Sequence, residues 1–227
     1  MTGILKNHQD IIVVSAPSGT GKTTMNRRLI KEAPSIEIAI SHTTRIPRSG
    51  EIDGTHYHFI KEDQFLSMAK NHEFLEWANV HGKYYGTSKA ELERIQGLNH
   101  HPLLEIDVQG WAHASKHIPD AKSIFILPPS MKSLWERLEG RGSDNLQTRW
   151  LRFQNAFEEI SSACNYSHFI INNDFETAFQ QFKSLILDQQ DTSINPKNGV
   201  NLCKKLQDEF KNAEWVRGLK DGFESGK

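Results

Sequence analysis

One stretch constrains this chain more than any other: Ala16-Pro17-Ser18-Gly19-Thr20-Gly21-Lys22-Thr23, which follows Ile11-Ile12-Val13-Val14-Ser15 and leads into the run Lys22–Glu32. The apolar pentapeptide reads as a short buried strand and the following run as a helix, so the loop sits at a strand-to-helix junction. Glycines at 19 and 21 let consecutive backbone N–H groups converge without a Cβ in the way. A helix that starts there adds the positive end of its dipole. Such a loop fits the phosphates of a nucleoside triphosphate. Lys22 would reach the β and γ phosphates, and the Thr23 hydroxyl would ligate Mg²⁺. Ala16 stands where this kind of loop commonly has its first glycine. A small residue suffices at that position as long as φ stays negative.

With 227 residues the chain can bury a full core, which suits one nucleotide-binding domain carrying an inserted subdomain. A hydrophobic share of 37% and a charged share of 24% are ordinary for a globular protein, and a net charge of -1 offers no general attraction to nucleic acid. Phosphate recognition must therefore come from local basic clusters. The only cysteines, Cys164 and Cys203, give no disulfide framework and point to a reducing compartment. Met1-Thr2-Gly3-Ile4-Leu5-Lys6 lacks the apolar run of a secretory signal, and no window approaches ~18 uninterrupted apolar residues. The expectation is a cytoplasmic protein with neither a membrane nor a nucleic-acid partner.

Strand-like runs at residues 11–15, 36–40, 103–108, 123–127 and 169–172 alternate with helix-like runs at 22–32, 110–117, 130–139, 145–164 and 175–188. This alternation predicts a doubly wound α/β core, a parallel sheet with helices on both faces. Residues 41–96 differ in texture: Tyr57, Phe59, Phe74, Trp77 and Tyr85 lie on short extended pieces separated by Gly50, Gly54, Gly82 and Gly86. The region reads as a small, mostly antiparallel insertion with one helix near 63–70, a lobe for a second substrate. The core is then 1–40 plus 97–190. Ser88-Lys89-Ala90-Glu91 has capping-box spacing and would start the helix that returns to it.

Gly140-Arg141-Gly142-Ser143-Asp144 separates two helical runs and, with its surroundings at about 137–152, looks like a helical lid. On the next helix, Arg149 reads as part of a solvated face. Beyond residue 190 the chain turns polar and is broken by Pro196, and Leu202, Leu206 and Phe210 then mark a weak amphipathic helix within 191–227. The last residues, from Gly218 on, read as poorly ordered. Packing on the core, self-association into a homo-oligomer and disorder all stay open for this tail. His113 and His117 have i, i+4 spacing but no third ligand nearby, so a protein-only metal site is not expected. The five tryptophans lie on different elements and read mainly as packing.

Ser41-His42-Thr43-Thr44-Arg45-Ile46-Pro47-Arg48-Ser49-Gly50-Glu51 places two arginines three residues apart beside a proline. Two guanidinium forks in an extended loop suit the oxygens of a second phosphate, to which the Tyr57 and Tyr85 hydroxyls can also donate. The pattern is that of a monophosphate acceptor site.

Taken in order with Glu73-Phe74-Leu75-Glu76-Trp77-Ala78, Tyr84-Tyr85-Gly86-Thr87, Leu104-Glu105-Ile106-Asp107-Val108-Gln109-Gly110 and Gly140-Arg141-Gly142, the loop and this arginine segment resemble a guanylate kinase of bacterial type over residues 11–186. That resemblance implies a P-loop nucleoside monophosphate kinase fold and ATP-dependent phosphorylation of GMP, and of dGMP, with Mg²⁺, in purine nucleotide metabolism. It implies that Arg45, Arg48, Tyr57 and Tyr85 hold the GMP phosphate and that Ser41 and Glu76 read the guanine, with Thr87 a small hydroxyl residue near the base. A carboxylate suits guanine, which offers N–H donors at N1 and N2 that adenine lacks. Glu105 replaces the commoner Asp and its reach to the guanine amino group is left open, while Asp107, at the end of an apolar strand, would orient Mg²⁺ and its waters. Arg137, Arg141 and Arg152 match lid positions that touch the ATP phosphates or adenine, and Asn172 resembles a position near the adenine. Two rival readings remain: a catalytically inactive interaction module of the same fold, which would typically lack an intact loop, and a kinase for another phosphorylated acceptor.

Overall fold

The computed structural model describes residues 8–80, 82–140, 145–188 and 191–224. The chain forms two compact units, one made of the segments up to Val14 and 28–122, the other of 15–27 and 123 onward.

In chain order the first unit carries β1 (Ile12–Ser15), the C-terminal part of α1 (Lys22–Glu32), β2 (Ile36–Ile38), β3 (His42–Thr43), β4 (His58–Phe59), α2 (Glu62–Lys70), β5 (Phe74–Val80), β6 (Lys83–Ser88), α3 (Lys89–Gly97), β7 (His101–Glu105) and α4 (Val108–Ala114). Parallel pairing joins β2 to β7 and β7 to β1, with Ile36 opposite His101 and Ile12 opposite Leu103. Every residue of β1 is buried, as expected of a strand covered on both faces. The α/β character with a parallel core is the one the alternation of runs predicts.

A second sheet runs in the order β4-β3-β6-β5. Its β3–β6 and β5–β6 pairs are antiparallel and its β3–β4 pair parallel. Phe65 of α2 anchors the sheet by stacking on Phe74 at 4.4 Å and on Tyr84 at 5.3 Å. The Ser88 hydroxyl caps α3 by accepting the Glu91 N–H at 3.3 Å. The capping box is only half formed, because the Glu91 carboxylate accepts the Ile40 N–H at 3.0 Å and pairs with Arg94.

The expected strand over 103–108 ends early. Asp107 is the N-cap of α4, and its Oδ1 accepts the Gly110 N–H at 2.7 Å. A helix cap draws backbone donors that a strand would spend on a ladder, so helix formation begins at Val108 rather than at Gly110.

The second unit holds β8 (Lys122–Leu127), α5 (Met131–Glu139), α6 (Leu146–Ser161), β9 (His168–Ile171), α7 (Phe175–Leu187), α8 (Pro196–Asn212) and α9 (Glu214–Glu224). β8 and β9 are parallel, from Ile124 opposite His168 to Leu127 opposite Ile171. Side-chain caps start α5 at Ser130, α6 at Asn145 and α7 at Asp174. The run over 145–164 stops being α-helix at Ser161 and continues as a 3₁₀ turn, Ala163–Asn165.

The tail departs from its sequence reading in extent. Helix α8 begins at Pro196, an N1 position where the missing N–H costs nothing, and α9 carries residues from Gly218 to Glu224 that the sequence reads as poorly ordered. Trp215 packs on Phe153 at 5.8 Å and Phe223 stacks on Trp150 at 5.0 Å. Two glycines weaken α9 locally, but a packed aromatic stripe outweighs propensity. No described helix is long and apolar enough to cross a membrane.

Candidate active site

Pro17, Thr20 and Gly21 set the shape of the loop after β1. The Thr20 N–H and hydroxyl both donate to the Pro17 carbonyl, at 3.2 and 2.7 Å, which closes a tight turn. Gly19 and Gly21 have φ of +97° and +93°, the left-handed region that favours glycine. Around them the packing leaves no room for side chains. A Cβ on Gly19 would lie 3.1 Å from Leu134 and Leu138, and one on Gly21 would lie 2.8 Å from Asn172 Nδ2. That nitrogen donates to the Thr20 carbonyl at 2.7 Å. Outside glycine the described residues with positive φ are His72 and Asn99, so Ala16 needs no glycine conformation.

Lys22 and Thr23 then occupy the first turn of α1, with Lys22 half-buried and Thr23 exposed. The loop is thus a concave run of glycine-enabled backbone leading into a helix N-terminus, the arrangement that holds phosphate oxygens. Arg137 of α5 donates to the Asn172 carbonyl at 2.8 Å, which ties α5 to the residue bracing the loop. Arg152 is half-buried on α6. Arg141 lies outside the described residues. Arg149, read from sequence as a solvated residue, instead lies 4.3 Å over the Trp135 ring and pairs with Glu139 at 2.6 Å. A planar guanidinium covers an indole face more favourably than it stands in water alone.

The residues expected to hold the acceptor lie in the first unit. Arg45, just past β3, is clamped by Glu51, with Nη1 to Oε2 at 2.9 Å and Nη2 to Oε1 at 2.8 Å. Glu51 also accepts the Arg48 N–H at 2.7 Å. These bonds, Arg45 first, pull the Glu51 carboxyl down to about 2, well below its ordinary range. The Arg45 guanidinium stands 5.5 Å from the Tyr57 ring centroid, and Tyr57 meets Tyr85 edge-on at 6.0 Å. Burial raises the Tyr57 hydroxyl pKa, with further contributions from Tyr85 and from the negative charge of Glu105. Arg45, Tyr57, Tyr85 and Glu105 therefore share one neighbourhood. Arg48 is exposed, and its backbone N–H bonds Glu51.

A second group gathers on β5, β6 and α4. The Ser41 and Thr87 hydroxyls are 3.1 Å apart, and Glu76 Oε1 accepts the Thr87 N–H at 2.9 Å. Glu76 is only 6% exposed. Burial pushes its carboxyl up to about 7, against the bonds from Thr87 and with help from the charge of Asp107. Gly110 makes this placement possible, because a Cβ there would stand 2.9 Å from Glu76 Oε2. The structure thus brings together Ser41, Thr87, Glu76 and Asp107.

Sequence reasoning gave no role to Glu51 or Gly110 and assigned Asn172 only to the adenine side. Glu51 lies in the same motif as Arg45, so charge opposition at i, i+6 was its one available signal. Nothing local marks Gly110.

Comparison with known proteins resolves the family. The guanylate kinase family model matches residues 8–189. The chain belongs to the guanylate kinase family. A guanylate kinase of Acinetobacter baylyi is 42% identical over 176 residues, covering 78% of this chain and 85% of that protein. One from Hahella chejuensis is 45% identical over 175 residues, covering 77% and 84%. The crystal structure of a guanylate kinase from Anaplasma phagocytophilum superposes with a TM-score of 0.63 at 30% identity, over 79% of this chain and 86% of that one. The match spans both site neighbourhoods and stops short of α8 and α9.

Proposed function

We propose that the chain is an enzyme that transfers the γ-phosphoryl group of ATP to GMP, releasing ADP and GDP. The observation that carries this reading is the intact loop with Lys22 and Thr23 at the start of α1, in a chain of this family. An interaction module without catalysis has no use for that loop.

The acceptor oxygen needs no general base. The second phosphate pKa is about 6, so GMP is mostly dianionic at neutral pH and can attack directly. One of its oxygens forms the new bond to the γ-phosphorus while the bond from that phosphorus to the β–γ bridging oxygen breaks, and ADP departs with the electron pair. Catalysis is then positioning and charge stabilisation. Lys22 and the loop amides hold the β and γ phosphates. Arg45, Arg48, Tyr57 and Tyr85 hold the GMP phosphate, and Glu51 keeps Arg45 aimed. Ser41, Glu76 and Thr87 read the guanine, with Glu105 beside the phosphate group of residues. Arg137, Arg141 and Arg152, expected in a lid at about 137–152, would stabilise charge on the ATP phosphates. Residues 41–96 would be the GMP-binding insertion, and its closure would exclude water and suppress ATP hydrolysis.

The hard oxygen donors Thr23 and Asp107 fit Mg²⁺, Asp107 keeping a second carboxylate oxygen beyond the one that caps α4. When bound, the ion neutralises charge on the β and γ phosphate oxygens. Both cysteines are free thiols, which supports a reducing, cytoplasmic setting. The product places the enzyme in purine nucleotide metabolism, and dGMP would be accepted as well as GMP.

Lys22→Ala is the direct test. Turnover in a coupled ADP-release assay falls by several powers of ten, on the order of 10³-fold or more, because charge stabilisation at the transferred group is lost. Near-normal turnover contradicts the proposed mechanism.

A further inference from the structure

We propose that the helical tail is part of the support of the donor-nucleotide site and that Glu209 is a positioning residue for ATP. The inference rests on reading residues 16–23 as the ATP phosphate loop.

Glu209 lies on α8, beyond the stretch the family model matches. Its carboxylate caps α5: Oε2 accepts the Met131 N–H at 2.9 Å and Oε1 the Lys132 N–H at 3.0 Å. The third N–H of that helix, from Ser133, goes to Ser130 Oγ at 3.0 Å. A helix leaves its first N–H groups without intrahelical partners, and its N-terminus favours negative charge. Glu209 supplies both the acceptors and the charge from 77 residues away.

Helix α5 in turn touches the loop. Leu134 and Leu138 form the wall that excludes a Cβ from Gly19, and Arg137 bonds the carbonyl of Asn172, whose side chain holds Thr20. One contiguous set of contacts therefore runs from Glu209 through α5 to Gly19 and Thr20.

The tail is also fastened elsewhere in the second unit. The Ile194 N–H donates to the Phe169 carbonyl of β9 at 3.0 Å, and Gly199 sits so close to Phe169 that a Cβ there would overlap its ring. Phe210 stacks on Phe157 at 4.5 Å, and Phe223 on Trp150 at 5.0 Å. The α8–α9 pair thus packs on α5, α6 and β9, of which α5 borders the loop, α6 carries Arg152, and β9 leads directly into Asn172, whose side chain holds Thr20.

Titrating the full chain with a non-hydrolysable ATP analogue and, separately, with GMP tests this. In Glu209→Gln, one N–H of α5 faces an amide instead of a carboxylate oxygen and the charge is gone. The Kd for the analogue should rise about threefold to tenfold, while the Kd for GMP stays within about twofold. Phe223→Ala, which leaves the cap intact, should weaken the analogue in the same direction by less. A lower melting temperature in both variants with an unchanged analogue Kd shows a merely structural tail and overturns the proposal. Should Glu209→Gln not fold, an unchanged Kd in Phe223→Ala overturns it equally. A wild-type chain that binds GMP but no analogue refutes the phosphate-loop reading itself, and the proposal with it.

Discussion

Glu76 and Gly110 fit together as side chain and empty space: a Cβ at 110 would stand 2.9 Å from Glu76 Oε2, while Oε1 accepts the Thr87 N–H at 2.9 Å. The carboxylate is thereby held in a buried place that only a glycine on α4 leaves open.

That burial makes Glu76 a pH-dependent group. Its pKa is raised from 4.5 to about 7, chiefly by burial and also by Asp107. A raised folded-state pKa contributes stability that is present in full below 4.5 and is lost as pH rises through about 7. A tenfold change in proton affinity is worth about 1.4 kcal/mol, so the loss amounts to about 3 kcal/mol. Denaturant unfolding at pH 5 and pH 8 should show this fall in the wild-type chain, and Glu76→Gln should remove it. GMP affinity should run the opposite way, strengthening above about pH 7 as the carboxylate forms, with Glu76→Gln flat over the same range. A variant with the wild-type pH profile would show that another group titrates.

How much of this was legible in the sequence differs by residue. The loop was legible because its chemistry is local: glycines, lysine and threonine at fixed offsets behind a strand. The segment with Arg45 and Arg48 stood out for the same reason, two arginines three residues apart beside a proline. Glu51 was not, since its bidentate hold on Arg45 depends on a turn that the residue types alone do not define. Asp107 was placed at a strand end because the apolar run carries no mark of its stop, whereas the stop is a side-chain cap onto Gly110. Helix α9 was missed because Gly218 and Gly222 lower helix propensity, while the rings that hold it, Trp150 and Phe153, lie more than sixty residues earlier. Long-range packing decided the case of α9, whereas Glu51 and Asp107 turned on local side-chain geometry.

Glu51→Gln tests the hold on Arg45. With the charge gone and one oxygen replaced by a donor, Arg45 loses its bidentate partner. The Michaelis constant for GMP should rise about tenfold and the constant for ATP should stay near wild type. Equal rises for both substrates would mean that Glu51 supports the fold and not Arg45.

Gly21→Ala tests the loop geometry. An alanine must adopt a φ near +93° and bring its Cβ to 2.8 Å from Asn172 Nδ2, so the bond to Thr20 has to give way. The strained backbone costs about 1–3 kcal/mol. ATP binding measured by calorimetry should weaken at least tenfold while GMP binding persists. An unaltered ATP affinity would mean that the loop tolerates a side chain there and that the close contact is not required.

The acceptor itself is the most direct question. A coupled ADP-release assay of the wild-type chain against GMP, dGMP, AMP, CMP and UMP should show GMP used best, dGMP also used, and the three others barely above background, if the linked group Ser41, Glu76 and Thr87 reads the donors that distinguish guanine, as proposed. A preference for AMP would contradict the base-reading role of these residues and with it the proposed acceptor.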